Sequence, residues 1–239
     1  MNFLFYYAEV PEWSNMIAHK NLSAVWARLV AHASFDGNIN ENPNKSGARV
    51  RFYSKDSEKL MKTQKIIKEE IGILPYKNYA FEERNKLLLR YNNTSFARKL
   101  IDLGAPSGDK AIQSYRVPDW IKYGSKEKQV QYLAALIDDE AESIRKEKKN
   151  TLRGLKIKQS KWIKYKKDLN LFLQDLKEIF TSLGIKTGKI TINSKDKYYR
   201  KDGKITIPGW FRISLNKENQ QKLIKVFVRD SQKIRAIID

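Results

Sequence analysis

The chain has 239 residues, 41% of them hydrophobic and 31% charged, with 47 Lys+Arg against 27 Asp+Glu and a formal net charge of +20. Ten Phe, twelve Tyr and five Trp exclude a disordered polyelectrolyte and leave room for one large core or two of about 100 residues each. With no Cys and only His19 and His32, disulfides, thiolate metal sites and histidine-rich centres are ruled out, and the basic excess points to a polyanionic partner, nucleic acid first.

In chain order, the opening MNFLFYYAEVPEW has no basic stretch, and Glu9 and Pro11 interrupt its apolar run, so it does not read as a secretion signal. No apolar run approaches the roughly 18–20 residues that span a bilayer. A soluble intracellular protein, cytoplasmic or organellar and without a membrane partner, is expected. WARLVAHASFDGNI (26–39) is an apolar helix ending at Asp36-Gly37. ARVRFYSKDS (48–57) alternates, with Arg49, Arg51, Tyr53 and Lys55 on one face and Val50, Phe52 and Ser54 on the other, as a strand does. The next helix has cap candidates Asp56 and Ser57 and a stop at Gly72; a hairpin (76–91) and a closing helix, TSFARKLIDLG, follow. Gly104, Pro106 and Gly108 mark a linker, and Pro118 sits where a short helix begins. VQYLAALIDDEAES (130–143) is a second apolar, alanine-rich helix, tipped by Asp138, Asp139 and Glu140. The charge run RKEKKN (145–150) reads as a solvated strand or turn. A basic-faced strand (152–160) carries Lys156 and Lys158 against Leu155 and Ile157. A helix stopping at Gly184, a hairpin (188–215) turning at Asp202-Gly203 and a last helix KENQQKLIKVFV complete the chain. The five tryptophans are expected in the core.

The two apolar helices are copies. Set over one another, Leu29 falls on Leu133, Ala31 on Ala135 and Asp36 on Glu140, 104 positions later. The elements after each acid repeat in the same order. The expected organisation is a first half (1–104), a linker (105–128) and a second half (129–239). The expected fold is α+β, two pseudo-symmetric αββαββα halves with antiparallel sheets.

The acids sit where a helix least favours them. The C-terminus is the negative end of the macrodipole, and a carboxylate there costs up to about 1 kcal/mol. Such an arrangement calls for a cation. Small residues on both helices, Ala27 and Ala31 against Ala134 and Ala135, permit close packing. Side by side, the helices would bring Asp36 and Glu140 together, and two carboxylates suffice for Mg²⁺ when water and phosphate fill its shell.

LAALIDDEA resembles the LAGLIDADG motif of the homing endonucleases of that name, matching at Leu133, Ala134, Leu136, Ile137 and Asp138, with Glu140 in the position of the motif acid. LVAHASFDG is a weaker copy that keeps Leu29, Asp36 and Gly37; it departs at His32 and Ser34, and the second copy departs at Ala141 where the motif has glycine. The resemblance covers nearly the whole chain. It implies a monomer whose two sheets form a DNA-binding saddle over a long, partly asymmetric double-stranded target. The paired acids would hold a divalent metal and cut both strands across the minor groove, leaving 3′ overhangs. The metal implied is Mg²⁺, with Mn²⁺ as another choice or Ca²⁺ in a non-cleaving complex. It also implies a basic residue near each acid, Arg90 in the first half and Arg212, with Ser214 as the competing position, in the second.

The basic strand faces supply DNA-contact candidates: Lys45, Arg49, Arg51, Tyr53, Lys55, Lys77 and Tyr79 in the first half, and Arg145, Lys156, Lys158, Lys189, Thr191, Asn193, Lys204 and Arg212 in the second. His32 reads as a core or interface histidine rather than a catalytic base. A non-cleaving binder on the same fold, an intron-splicing maturase or a regulator, is the alternative; retention of both acids favours cleavage. With no Cys or Ser at the front and no His-Asn pair at the back, a free-standing, intron-encoded protein is expected rather than one embedded in an intein.

Overall fold

The computed structural model describes residues 22–41, 47–83, 86–141, 146–147, 151–152, 155–214 and 216–235, with side chains left out at 79–83, 146–147 and 151–152. The first half runs α1 (Ala24–Ser34), β1 (Gly37–Glu41), β2 (Ala48–Ser54), α2 (Ser57–Ile71), β3 (Lys77–Glu83), β4 (Lys86–Tyr91) and α3 (Thr94–Asp102). Its four strands pair antiparallel in the order β1-β2-β4-β3. Alternation in β2 is as the sequence indicates: Ala48, Val50, Phe52 and Ser54 are buried, and Arg49, Arg51 and Tyr53 stand on the outer face. Asp56 caps α2, accepting from the backbone N–H of Glu58 and Lys59, and Gly72 ends it in the left-handed conformation, φ 76°.

The linker is packed, not loose. A 3-10 turn (Lys110–Ile112) and a short helix α4 (Asp119–Lys122) punctuate it. Ile39 bridges Ser107, and the N–H of Gly108 donates to Ile39 O at 2.8 Å, so the segment lies along β1. Trp120 Nε1 donates to Leu103 O at 2.9 Å. Arg116 holds Asp175 with two hydrogen bonds of 2.6 Å, fastening the linker to the second half.

The second half runs α5 (Lys126–Glu140), β5 (Lys146–Glu147), β6 (Thr151–Leu152), β7 (Lys156–Trp162), α6 (Lys166–Ser182), β8 (Thr191–Ile192), β9 (Tyr198–Tyr199), β10 (Ile205–Arg212), α7 (Lys217–Phe227) and α8 (Gln232–Arg235). Its sheet is more fragmentary: β7-β10-β8 in order, with the two-residue β9 pairing β10 across the Asp202-Gly203 turn. The strand expected at 152–160 begins at Lys156, because β6 instead pairs with β5 in a separate ladder. Helix α5 starts within the expected linker, where Ser125 accepts from Lys128 N as its cap. Gly184, φ 76°, again follows the helix end.

The helices α1 and α5 pack against each other at the centre, and their Ala27, Leu29, Ala31, Leu133, Ala134 and Leu136 have no exposed surface. Fully burying each leucine contributes about 1.5–3 kcal/mol. One hydrophobic cluster runs through both halves, so there is a single core. The tryptophans depart from expectation. Trp120 is buried, but Trp162 and Trp210 lie on the outer face of β7 and β10, in register with Thr206 and Lys158. Lysines stack on them: Lys156 over Trp210 at 4.9 Å and Lys164 over Trp162 at 5.4 Å. A cation over an indole face keeps the large ring half-wetted without loss. Trp13 lies outside the described residues.

Candidate active site and nucleic-acid interface

Helix α1 ends at Ser34 and the chain turns through Phe35 and Asp36 into β1; helix α5 ends on Glu140. The two acids, aligned by the repeat, lie at the same end of the packed pair, Asp36 two residues beyond its helix and Glu140 as the last residue of its own. They sense each other. Burial pushes the Glu140 carboxyl up to about 7, and the Asp36 charge adds to that rise. A cavity of about 680 Å³ opens beside them, lined by Ser34, Phe35, Asn38, Lys110, Tyr115 and Glu140 among others.

The third acid of the cluster, Asp139, is fully buried. His32 Nδ1 donates to it at 3.0 Å, which makes His32 the interface histidine the sequence suggests. Lys59, from the first turn of α2, bonds Asp36 Oδ2 at 3.0 Å and also pairs with Asp139. Burial alone would lower the Lys59 ammonium, but Asp139 and Asp36 outweigh it and hold the group above its ordinary value. Burial alone would raise Asp139; His32 and Lys59 hold it below the usual carboxylate range instead. A single lysine thus joins the acid of one half to an acid of the other. Asp138 serves the fold instead. Ser231 Oγ donates to it at 2.6 Å and the N–H of Lys233 at 3.2 Å, so it caps α8.

The cations near Asp36 are not those implied by the resemblance. Lys86 Nζ lies 3.9 Å from Asp36 Oδ1, at the start of β4. Arg90, near the far end of that strand, instead donates from Nε to Asn92 Oδ1 at 2.9 Å and lies over the Tyr76 ring. Arg212 stands opposite Lys156 on the outer face of β10, and Ser214 lies just beyond that strand. Among the described residues neither arginine makes an ion pair with Asp36 or Glu140. Beside Glu140 the structure places Lys110, from the linker, and Gln159, from the inward face of β7. Gln159 favours the charged form of Glu140, yet its buried Nε2 makes no well-formed hydrogen bond. The signal for Lys59 was present: it shares the four-residue stripe of Thr63 and Ile67, where a lysine is out of place unless it serves a partner. Lys110 has no comparable signal, because its contacts depend on how the chain closes.

The basic faces are arranged as sheet register requires. Asn38, Arg51, Arg90 and Lys77 form one row across β1, β2, β4 and β3, and Asn40 stands beside Arg49. In the second half Lys156 and Lys158 face Arg212 and Trp210, and Thr191 joins Trp210 from β8. Lys189 is exposed just before β8, and Lys55 is exposed just beyond the end of β2. Two candidates carry local duties: Asn193 accepts from the N–H of Lys195 at 2.9 Å, and Lys204 pairs with Asp202 at 3.0 Å. Lys45 and Arg145 lie outside the described residues, as does the side chain of Tyr79 in β3. No helix among the described residues is long and apolar enough to cross a membrane.

Asp36 and Glu140 fit a hard divalent cation in donor chemistry, since both offer carboxylate oxygens. Among the described residues no third acid or histidine joins them to complete a protein-only cage. That is the donor set of an ion that keeps most of its water, as Mg²⁺ does.

No family model matches the sequence. A solved structure of a variant of I-DmoI in complex with its target DNA in the presence of magnesium is similar over 90% of this chain and 98% of that one, with a TM-score of 0.56 and 15% identity. The homing endonuclease I-WcaI bound to its DNA recognition sequence is similar over 98% of this chain and 93% of that one, with a TM-score of 0.54 and 13% identity. The chain has this fold. Among curated proteins, the tRNA-splicing ligase RtcB of Pyrococcus furiosus is 30% identical over 184 residues, and that of Methanopyrus kandleri 27% over 182. The replication factor C small subunit of Methanocaldococcus jannaschii is 26% identical over 247 residues. The chain spans only 18%, 18% and 13% of these relatives' lengths.

Proposed function

We propose that this chain, built on the LAGLIDADG homing-endonuclease fold, is a site-specific double-stranded DNA endonuclease in which Asp36 and Glu140 hold Mg²⁺. The observation that carries this reading is the coupling of the two acids at matched ends of the central helix pair, where the charge of Asp36 helps raise Glu140. The fold neighbours are bound to their DNA, one of them in the presence of magnesium. The curated relatives are different proteins matched over a small share of each.

The residues divide the work by position. Arg49, Arg51, Lys77 and Arg90 on one sheet, and Lys156, Lys158, Thr191 and Arg212 on the other, hold phosphates and read base edges, as a saddle of two sheets over a duplex would. The central acids then meet the backbone between the two contact surfaces. Lys59 holds the Asp36 carboxylate in place through its 3.0 Å hydrogen bond. Gln159 offers its unpaired N–H₂ beside Glu140. Asp36 and Glu140 would hold Mg²⁺ through their carboxylate oxygens, and the ion would supply Lewis-acid chemistry for phosphodiester hydrolysis there. One monomer cuts both strands across the minor groove and leaves 3′ overhangs. No step requires a second copy.

Digestion of a randomised duplex library with Mg²⁺, followed by sequencing of the ends, identifies the target. On that target, Asp36→Asn or Glu140→Gln is expected to slow cleavage by at least about 100-fold. Binding is retained or tightened, because each change removes a charge that repels phosphate. Cleavage at the unsubstituted rate in either variant would refute the assignment. Tight binding without cleavage by the unaltered chain would favour a maturase or regulator.

A further inference from the structure

Two lysines, Lys110 beside Glu140 and Lys233 from α8, bond to main-chain carbonyls next to the acids. Lys110 Nζ donates to Gly37 O at 2.7 Å and also to Phe35 O, the carbonyls on either side of Asp36. Lys233 Nζ donates to Ala141 O at 2.6 Å. Gly37 and Ala141 are the same position in the two copies, each immediately after its acid. Lys110 comes from the linker after the first half, and Lys233 from α8, near the end of the second half. Each acid thus has a lysine bonded to the carbonyl one residue beyond it, although the two lysines come from different places in the chain.

We infer that Lys110 and Lys233 are a matched pair of positioning residues, each fixing the main chain that carries one acid. The inference rests on the nuclease reading. The last carbonyls of a helix have no intrahelical partner and carry the negative end of its dipole. At Phe35 the chain leaves helical geometry, φ −108° and ψ −93°, so nothing in α1 itself fixes the direction of Asp36. An ammonium bonded on both sides of that residue does. Lys110 is braced in turn. Lys161, on the inward face of β7, donates to Lys110 O at 2.7 Å and Gln113 O at 3.0 Å, with its ammonium 3.4 Å from the Tyr115 ring centroid. The path runs from the second sheet through the linker turn to the first acid. Lys233 has a shorter path: its own N–H donates to Asp138, two residues before Glu140. A displacement of about 1 Å at a reacting group costs on the order of 100-fold in rate.

The test is single-turnover cleavage of a supercoiled plasmid bearing the mapped target, with each nick located by strand-specific primer extension. Lys110→Met should slow one strand by about 10- to 100-fold and accumulate nicked circles. Lys233→Met should slow the opposite strand. DNA affinity measured with Ca²⁺ should stay within about threefold of the unsubstituted chain, and the arginine variants Lys110→Arg and Lys233→Arg should restore linear product. Both variants slowing the same strand, or both strands equally, would overturn the inference, as would variants that cut like the unsubstituted chain. If the unsubstituted chain binds DNA but never cuts, the nuclease reading itself fails.

Discussion

Glu140 titrates where physiology can reach it, at about 7, because burial and the Asp36 charge both oppose its ionisation. The sign follows from linkage. The folded state holds the proton more tightly than the unfolded chain, so this group's contribution to stability is complete below the ordinary glutamate range and is lost as pH rises to about 7. Glu140→Gln removes that loss. Without metal, urea unfolding of the variant and the unsubstituted chain should agree near pH 4. The variant should gain as pH climbs, by up to about 3 kcal/mol above pH 7. A gap that does not change with pH would mean that Glu140 is not buried beside a like charge. The residue scale is also where the sequence was least legible. Asp36 and Glu140 stood out because the repeat aligned them. Lys86 and Lys110 did not, because three-dimensional proximity to an acid leaves no local pattern. Arg90 was attractive as a late-strand basic residue, yet strand direction puts Lys86 at the acid's end.

Among the elements, periodicity carried most of what could be read. The αββαββα order of the first half, the outer face of β2 and both helix stops emerge from alternation, caps and glycine, whereas the second half carries extra short strands. The second sheet was harder, since β8 and β9 are two residues each and too short to show a period. The glycines separate two physical effects. At Gly72 a Cβ would meet nothing, so Gly72→Ala pays only for the left-handed backbone, about 1 kcal/mol. At Gly37 a Cβ would lie 2.6 Å from His32 O and 2.7 Å from Ala33 Cα, against backbone that cannot move aside. Gly37→Ala should therefore lower the melting temperature more than Gly72→Ala and disturb the Asp36 turn, reducing cleavage as well. Equal melting shifts would contradict the close approach. The same geometry accounts for the difference between the copies. Ala141 takes an extended backbone, φ −71° and ψ 134°, and tolerates a methyl where the first copy does not.

For the whole molecule, a formal charge of +20 on a single core sets the terms of association. Displacing condensed counterions from a duplex makes affinity fall steeply with salt. Between about 50 and 200 mM salt the loss should reach on the order of 1,000-fold if six or more phosphates are engaged. Titration by fluorescence anisotropy measures the slope, and a nearly flat line would exclude broad contact along both sheets. The halves are not equal partners in that contact. The first sheet offers a row of guanidinium and amide groups, Asn38, Arg51 and Arg90. The second offers one guanidinium, Arg212, beside indole and lysine, Trp210 with Lys156 stacked on it. Guanidinium forks favour guanine edges, whereas a ring and its methylenes suit the apolar rim of thymine. On the proposed nuclease reading, the two arms of the recognised sequence are read in different chemical alphabets, and a genome search for the target should not assume a self-complementary word.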